Sequence, residues 1–150
     1  MVSVGNYKYW MRPAGSYPGT SGYSAELDFK EKVLAGKTSL PMVRMNNGGT
    51  ENDFKKVNVN GKVVVLDRGG ISFGQKMINA SKAGAIAVLC ANNLESSDGN
   101  SPFGSFVDLS SAGNDVKIIP FFSISYVAGQ KLNGQTNIDF VLTTNPVDVL

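Results

Sequence analysis

Histidine is absent from all 150 residues of this chain. It is the most frequent general base in enzymes and the most frequent metal ligand in proteins, so a catalytic or metal-binding hypothesis must do without it. Cysteine occurs once, as Cys90, which excludes an intramolecular disulfide, and the apolar run around it at residues 85–91 indicates a small buried side chain. Both shortages weigh against a self-sufficient enzyme.

Charge is sparse and balanced, with 14 basic and 12 acidic side chains giving a net charge of +2. No cluster of lysine or arginine interleaved with aromatic residues occurs, so we predict no nucleic-acid partner. No stretch of 18 apolar residues and no leader-like N-terminal segment is found, so we predict no membrane partner.

Length and composition fit one globular domain. Hydrophobic residues make up 42% and charged residues 17%, and a chain of this size buries roughly 68–70% of the surface that its unfolded form exposes. The abrupt start at Met1 and the end at Leu150, just after a predicted strand, lead us to expect that residues 1–150 are a single domain and a fragment of a longer protein.

The first 40 residues are rich in glycine, serine, tyrosine and proline, and we interpret them as β-hairpins with connecting loops. Residues 7–10 form a strand candidate, and residues 15–22 form a loop. Residues 25–34 fit either a strand or a short helix, and residues 40–45 resemble a strand.

The second half contains the pattern of a β-α-β unit. Residues 62–67 predict a β-branched strand. Ser72 and Gln75 have the spacing of a capping box, so a helix should begin with the serine as N-cap. Gly84 should end this helix with a positive φ, and residues 85–91 should form a strand that is buried on both faces.

A weaker copy of this unit follows, with a strand at residues 118–125, a short helix at 126–132 and a strand at 137–143. The chain is therefore predicted to be an α/β protein. Its core should be a mixed or parallel β-sheet with two βα units, flanked by helices and preceded by the N-terminal β-hairpins.

The polar segment between the two units, residues 94–117, is predicted to be a mobile surface flap, whose serine, glycine, asparagine and aspartate content cannot form a core. Structureless connections longer than about 12–15 residues are uncommon and tend to be functional or disordered. Phe103 and Phe106 lie within it, and their rings either contact a partner or fold back over the sheet edge as a lid. Both phenylalanines are candidate binding residues.

Arg68 is a third candidate binding residue, in the turn before the predicted helix. Free amides and the positive end of the helix dipole beyond it could hold a carboxylate or another anion, although such turns are more often solvated.

One motif has the form of a nucleophile. Residues 70–74, Gly-Ile-Ser-Phe-Gly, match the G-x-S-x-G pattern of α/β-hydrolases at a strand-to-helix turn. A serine nucleophile needs an adjacent base, and no histidine is present to supply one. We therefore interpret Ser72 as a helix cap and keep, as the alternative, a minimal serine hydrolase that uses Ser72 with an unconventional base.

Other candidate ligand motifs are incomplete. Gly69, Gly70 and Gly74 fit neither the dinucleotide fingerprint nor the Walker A pattern. Acidic groups at residues 51–53 and 98–100 do not continue into a calcium loop, and both segments are predicted to be plain turns.

Residues 61–132 contain a combination of motifs that is more specific than any one of them. It comprises a glycine-flanked β-branched strand, positions along the following helix, two asparagines after the next strand, and a later aromatic strand with its helix. The residues are Gly61-Lys62-Val63-Val64-Val65-Leu66-Asp67-Arg68-Gly69, Ile71-Ser72-Phe73, Lys76, Asn79-Ala80, Ala83-Gly84-Ala85, Asn92-Asn93, Ile119-Pro120-Phe121-Phe122-Ser123-Ile124-Ser125, Gly129 and Leu132. This combination resembles the protease-associated (PA) domain, whereas residues 1–40 match it poorly.

The resemblance implies a non-catalytic insert that takes part in protein interaction and in control of substrate access. Its motif residues are architectural, so no catalytic residue, metal site or cofactor carries over. The implied partners are a protein or peptide substrate and the catalytic domain of a parent protease, and the implied location is extracellular or at the cell surface.

Residues 52–54, Asn-Asp-Phe, ahead of Val59-Asn60-Gly61 are most similar to the inserts of bacterial cell-surface subtilisin-like serine proteases. The PA inserts of zinc aminopeptidases remain an alternative. Eukaryotic sorting receptors of this family often have a cysteine near the position of Ser72, which this chain does not share.

Overall fold

The structure is a computed structural model that describes residues 1–5, 7–15, 23–94, 101–110, 112–113 and 115–141. Three short strands are followed by helices and strands that alternate for most of the chain. In chain order the elements are β1 (Val2–Val4), β2 (Tyr7–Tyr9), β3 (Arg12–Pro13), α1 (Ala25–Asp28) with a π-helical extension (Phe29–Leu34), β4 (Ser39–Arg44), α2 (Glu51–Lys55), β5 (Val63–Asp67), α3 (Phe73–Lys82), β6 (Ala87–Ala91), β7 (Phe121–Ile124), α4 (Tyr126–Lys131) and β8 (Asn137–Phe140).

These strands form one sheet in the order β2-β1-β8-β4-β5-β6-β7-β3. Strands β4 to β7 are parallel, and the remaining pairs are antiparallel. The predicted α/β class with a mixed sheet is confirmed. None of the helices in the described part of the chain has the length and apolar character needed to cross a bilayer.

The β5-α3-β6 unit is confirmed. Strands β5 and β6 pair in parallel from Val63 with Ala87 to Asp67 with Ala91. The helix between them ends before Gly84, whose φ is +91° as predicted. A left-handed residue at this position lets the chain turn back directly into β6.

Apolar side chains cover both faces of the sheet. Along β5, Val63 and Val65 belong to one hydrophobic cluster, and Val64 and Leu66 belong to the other. The first cluster is covered by α1, its π-helical extension and α4, whereas α3 and the segment leading to β7 cover the second. This explains why the central strands are continuous apolar runs.

The second predicted β-α-β unit is wrong. Strand β8 pairs antiparallel with β4 and β1, and three strands separate it from β7. Its residues alternate between exposed and buried, from Asn137 to Phe140, which is typical of an antiparallel strand with one exposed face. The helix α4 therefore carries the chain back across the sheet to the far side of β4.

The N-terminal hairpin is confirmed for β1 and β2, which pair antiparallel from Val2 with Tyr9 to Val4 with Tyr7. Strand β3 does not join them but pairs with β7 at the opposite edge of the sheet. Of the predicted loop at residues 15–22, residues 16–22 lie outside the described residues.

Residues 25–34, for which strand and helix were both open, are helical. The Ser24 side chain caps α1 by accepting a hydrogen bond from the N–H of Leu27. Phe29 packs edge-on against Phe122 and Phe140, with ring centroids 5.4 and 5.0 Å apart. A helix satisfies both the cap and this contact.

The plain turn predicted at residues 51–53 is wrong, because these residues begin α2. Thr50 Oγ1 accepts from the N–H of Asp53 at 3.2 Å, and the Asp53 carboxylate accepts from the N–H of Thr50 at 2.9 Å. This reciprocal capping box starts the helix. The other predicted turn, at residues 98–100, lies outside the described residues.

Candidate functional site

The parallel strands β4, β5, β6 and β7 all end on one side of the sheet, which we call the carboxyl end. Open α/β sheets usually bind ligands there. Arg68, one of the predicted binding residues, directly follows β5 and therefore lies at the carboxyl end.

Lys76 is a buried cation on α3, with none of its surface exposed to solvent. Its Nζ donates to the carbonyl oxygens of Gly48, Asp67 and Gly69 at 2.8, 2.9 and 2.6 Å. Burial lowers the pKa of Lys76, and the three carbonyl dipoles compensate the buried charge. Lys76 therefore fastens the loop after β4 to the loop that carries Arg68.

Arg44 holds the same loop from the other side. Its side chain is 3% exposed, and its Nη2 pairs with Asp67 Oδ1 at 2.8 Å. Its Nε donates to the carbonyl of Gly129 at 3.1 Å, and its Nη1 donates to the carbonyl of Met45 at 2.8 Å. Two buried cations thus fix the backbone around Arg68.

Arg68 itself is exposed, and its guanidinium stacks on two aromatic rings. Its Cζ lies 4.6 Å from the centroid of the Phe103 ring and 5.8 Å from that of Phe73. The two ring centroids are 5.8 Å apart. A cation over a ring at an exposed position contributes about 0.5–1 kcal/mol. The structure thus brings together Arg68 and Phe103, which are 35 residues apart in the sequence.

Residues 101–110 lie beside β3 and β7 and are anchored at several points. The Ser123 hydroxyl donates to the carbonyl of Phe103 and accepts from its N–H. The N–H of Gly15 donates to the carbonyl of Ser105 at 2.7 Å. Val107 is fully buried in the cluster beneath α3. The polar content of this segment was expected not to form a core, yet both Val107 and Leu109 join the core of the domain.

Phe103 and Phe106 have different environments. Phe103 is partly buried against Phe73, as expected of a lid. Phe106 is 53% exposed and lies beside Gly15, as expected of a contact residue. We call Arg68, Phe103 and Phe106 the aromatic surface. The predicted flap also includes residues 95–100, 111 and 114, which lie outside the described residues.

Ser72 caps α3, as predicted, because its Oγ accepts from the N–H of Gln75 at 3.1 Å. The reciprocal half of the predicted capping box is wrong. The Gln75 side chain donates to Asn79 Oδ1 at 2.8 Å instead of reaching back to the backbone. Asn79 is buried with its own amide donated to Gly49, so its oxygen needs a donor, and Gln75 supplies it.

Cys90 is fully buried, and burial raises the pKa of its thiol to about 12, so it stays protonated at neutral pH. Within the described ranges, no group of three or more histidine, cysteine or acidic side chains could hold a metal ion. The carboxyl end can therefore offer a ligand hydrogen bonds, cation–π contact and burial of aromatic surface.

The sequence and the fold match a known protein family. The family model of the PA domain matches residues 24–132. The chain belongs to the PA domain family. The match begins at the N-cap residue of α1, Ser24, and ends at the C-cap residue of α4, Leu132.

This PA domain is similar to parts of much longer proteins. It is 48% identical over 50 residues to C5a peptidase of Streptococcus pyogenes, covering 33% of the chain and 4% of that protein. It is 33% identical over 139 residues to the minor extracellular protease Vpr of Bacillus subtilis, covering 87% of the chain and 15% of that protein. Its fold matches the zinc aminopeptidase BSAP of Bacillus subtilis with a TM-score of 0.62 and 25% identity, covering 92% of the chain and 28% of BSAP.

A recess of this PA domain lies where the parallel strands begin, at the opposite end from Arg68. It is a cleft of about 740 Å³ between α1 with its π-helical extension and residues 117–120. Its walls include Asp28 and Glu31 but also Lys32 and Lys117. Because both signs of charge line it, the cleft does not indicate a ligand class.

Two residues that position the aromatic surface of this PA domain, Arg44 and Val107, are missed by sequence reasoning, and Lys76 was named only as part of the PA motif, without its burial. Lys76 and Arg44 are charged, and the usual expectation is that such side chains are exposed. The available signal for Lys76 was its place among apolar residues of the helix, three positions after Phe73. Val107 was hidden by its polar neighbours, although it directly follows Phe106.

Proposed function

We propose that this PA domain is a non-catalytic accessory module of an extracellular protease. In this proposal residues 1–150 form one domain of a longer chain. Its aromatic surface contacts a protein substrate, or the catalytic domain of the parent protease, and controls which substrates reach the active site. Family membership and the protease relatives support this role, and the relatives' own names, such as extracellular protease, support the location.

One observation carries the proposal: Phe106 is 53% exposed, while the next residue, Val107, is fully buried. An exposed aromatic ring is therefore presented by an anchored backbone. Aromatic anchors contribute strongly to protein interfaces, and a contact that is already ordered loses little conformational entropy on binding.

A subtilisin-like serine protease is the parent class that we propose, with a zinc aminopeptidase as the second candidate. The motif at residues 52–54 favours the first, and the fold similarity to BSAP favours the second. The parent sequence separates them, because an Asp, His and Ser triad flanking this segment identifies a subtilase, whereas a downstream set of zinc ligands identifies an aminopeptidase.

A serine hydrolase that uses Ser72 is disfavoured by geometry, because the hydroxyl is engaged as a helix cap. A fluorophosphonate probe tests this interpretation. We expect no labelling of the purified chain, and stoichiometric labelling that disappears in Ser72→Ala would establish the hydrolase instead.

The role of the aromatic surface is tested by Phe106→Ser in the parent protease. We expect slower cleavage of a folded protein substrate and unchanged cleavage of a short peptide, because only the larger substrate reaches beyond the catalytic domain. Tyr7→Ser is the matched control, since Tyr7 is 58% exposed on β2 at the other edge of the sheet. The double variant Phe103→Ala with Phe106→Ala extends the test. The proposal would be refuted if every variant cleaved both substrates at the rate of the unchanged protease.

A further inference from the structure

The aromatic surface is bordered by a second exposed arginine. Arg12 lies on β3, and its Nη2 is 3.5 Å from the position that a Cβ atom on Gly104 would occupy. The guanidinium of Arg68 lies over the ring of the preceding residue, Phe103. Two guanidinium groups therefore lie beside adjacent residues of one segment. Arg12 pairs in the sheet with Ser123, whose hydroxyl holds the Phe103 backbone, so both cations lie on the α3 side of the sheet.

Neither arginine has a carboxylate partner in the part of the chain that the structure describes. The single ion pair found there joins Arg44 to Asp67. The acidic residue of the neighbouring segment, Asp108, accepts a hydrogen bond from the N–H of Ser110 at 2.9 Å. Stacking of Arg68 on a ring satisfies no N–H donor, and neither guanidinium donates a hydrogen bond within the described part of the chain. The donors of both arginines therefore remain for water or for an acceptor on a partner.

We propose that the aromatic surface, extended by Arg12, binds an acidic peptide segment of a protein partner. This inference rests on the proposed function and adds the chemical class of the partner. A guanidinium can bind a carboxylate through two parallel hydrogen bonds, which gives direction as well as attraction. Phe106, two residues after Gly104 in the same segment, is exposed and offers an apolar contact, so the preferred peptide has aspartate or glutamate at some spacing from an aliphatic or aromatic residue.

The third arginine and the cleft of the domain do not offer a comparable site for this ligand. Arg44 and Lys76 are buried and donate to carbonyl groups of the chain. The cleft where the parallel strands begin is lined by acidic as well as basic side chains. Among the arginines, only Arg12 and Arg68 therefore present a guanidinium to a ligand, and exposed lysines such as Lys131 lack its planar two-donor geometry.

The test uses fluorescent peptides in matched pairs, measured by anisotropy with the 150-residue chain. One member of each pair has two acidic residues next to leucine or phenylalanine, at varied spacing, and the other has glutamine and asparagine in their place. The protein variants are Arg12→Gln and Arg68→Gln. Lys131→Gln is the matched control, because Lys131 is also an exposed cation over a ring, 4.8 Å from the Tyr7 centroid at the far edge.

We expect the acidic peptide to bind about tenfold more tightly than its amide counterpart, with the advantage shrinking as salt rises. Each arginine variant should lose about threefold in affinity for the acidic peptide and little for the amide, so that the two losses together account for the tenfold preference. Lys131→Gln should bind as the unchanged chain does. The comparison of acidic and amide peptides on the unchanged chain needs no variant, so it holds even if a substitution impairs folding.

Equal binding of both peptides by the unchanged chain would overturn the acidic preference and leave the proposed function standing. An arginine-independent preference, or an equal loss in Lys131→Gln, would overturn the assignment to Arg12 and Arg68. If no peptide binds and Phe106→Ser has no effect in the parent protease, both proposals fail together.

Discussion

At the scale of single residues, Lys76 shows how a charge can be buried for the sake of position. Moving an ammonium group out of water costs several kcal/mol, and three charge-assisted hydrogen bonds return an amount of the same order. The net contribution of Lys76 to the free energy of unfolding is therefore small. Its effect is to join the loops around Gly48 and Gly69, which sets the position of Arg68.

Ser72 allows a prediction at the same scale. Removing its hydroxyl in Ser72→Ala leaves the N–H of Gln75 without its acceptor, so we expect the free energy of unfolding in urea to fall by about 0.5–2 kcal/mol. Lys82→Ala is the control, because Lys82 lies exposed on the same helix and takes no part in the cap. An unchanged midpoint for Ser72→Ala would contradict the capping role.

At the scale of elements, the sequence predicts the central unit and fails where pairing is decided by distant contacts. The β5-α3-β6 unit was predictable because Ser72 and Gly84 mark both helix ends and the strands are apolar runs. Strand β8 was predictable as a strand but not as a partner of β4, since pairing depends on where α4 packs. In the candidate site, Arg68 and Phe103 were named, yet their contact depends on long-range anchors of Phe103 at Ser123 and Phe73, which the polar composition of the segment does not reveal.

The end of α3 supports a prediction about backbone geometry. In Gly84→Val, the new Cβ would lie 2.5 Å from Asn60 Oδ1, at a φ of +91° that β-branched residues avoid. We expect a loss of about 3 kcal/mol or more from strain and overpacking, seen as a lower melting temperature or failure to fold. Gly134→Val is the matched control, because Gly134 has a φ of +77° but open space around it. Equal losses in the two variants would show that crowding by Asn60 contributes nothing.

The contact between α3 and the segment at residues 101–110 supports a second prediction. A methyl group in Gly74→Ala would overlap the carbonyl oxygen of Asp108, although alanine otherwise favours a helix by about 1 kcal/mol. We expect faster amide hydrogen exchange at Val107 and Leu109 and a lower free energy of unfolding. Lys82→Ala, at an exposed position of α3, should show neither effect. Increased stability of Gly74→Ala would mean that the segment does not pack on the helix.

At the scale of the whole molecule, the aromatic surface is part of the cover of one sheet face. Val107 and Leu109 belong to the cluster beneath α3, and Phe73 contacts both Phe103 and Phe121. A partner seated on Phe106 therefore meets groups that are fixed to the core. Such a surface needs little ordering on binding, so little conformational entropy would oppose the contact with a partner.

The stability of the whole molecule should depend on pH through Cys90. Because burial raises the pKa of this thiol from about 9 to about 12, the folded chain keeps a proton that the unfolded chain releases above pH about 9. Stability is therefore lost as pH rises through this window, while Lys76, whose pKa is lowered by burial, acts in the opposite direction. The comparison with Cys90→Ala isolates the thiol, since Lys76 is present in both proteins.

Cys90→Ala should lower the free energy of unfolding in urea, and we expect this loss to be about 2 kcal/mol smaller at pH ~10.5 than at pH ~7. The loss shrinks because the unchanged chain is destabilised by ionisation of the thiol on unfolding, whereas the variant has no thiol. Val88→Ala, in the same strand and the same buried cluster, is the control, and its cost should not change with pH. A cost of Cys90→Ala that stays constant over this range would mean that the thiol ionises as readily in the folded protein as in the unfolded chain, and that β6 is open to water at Cys90.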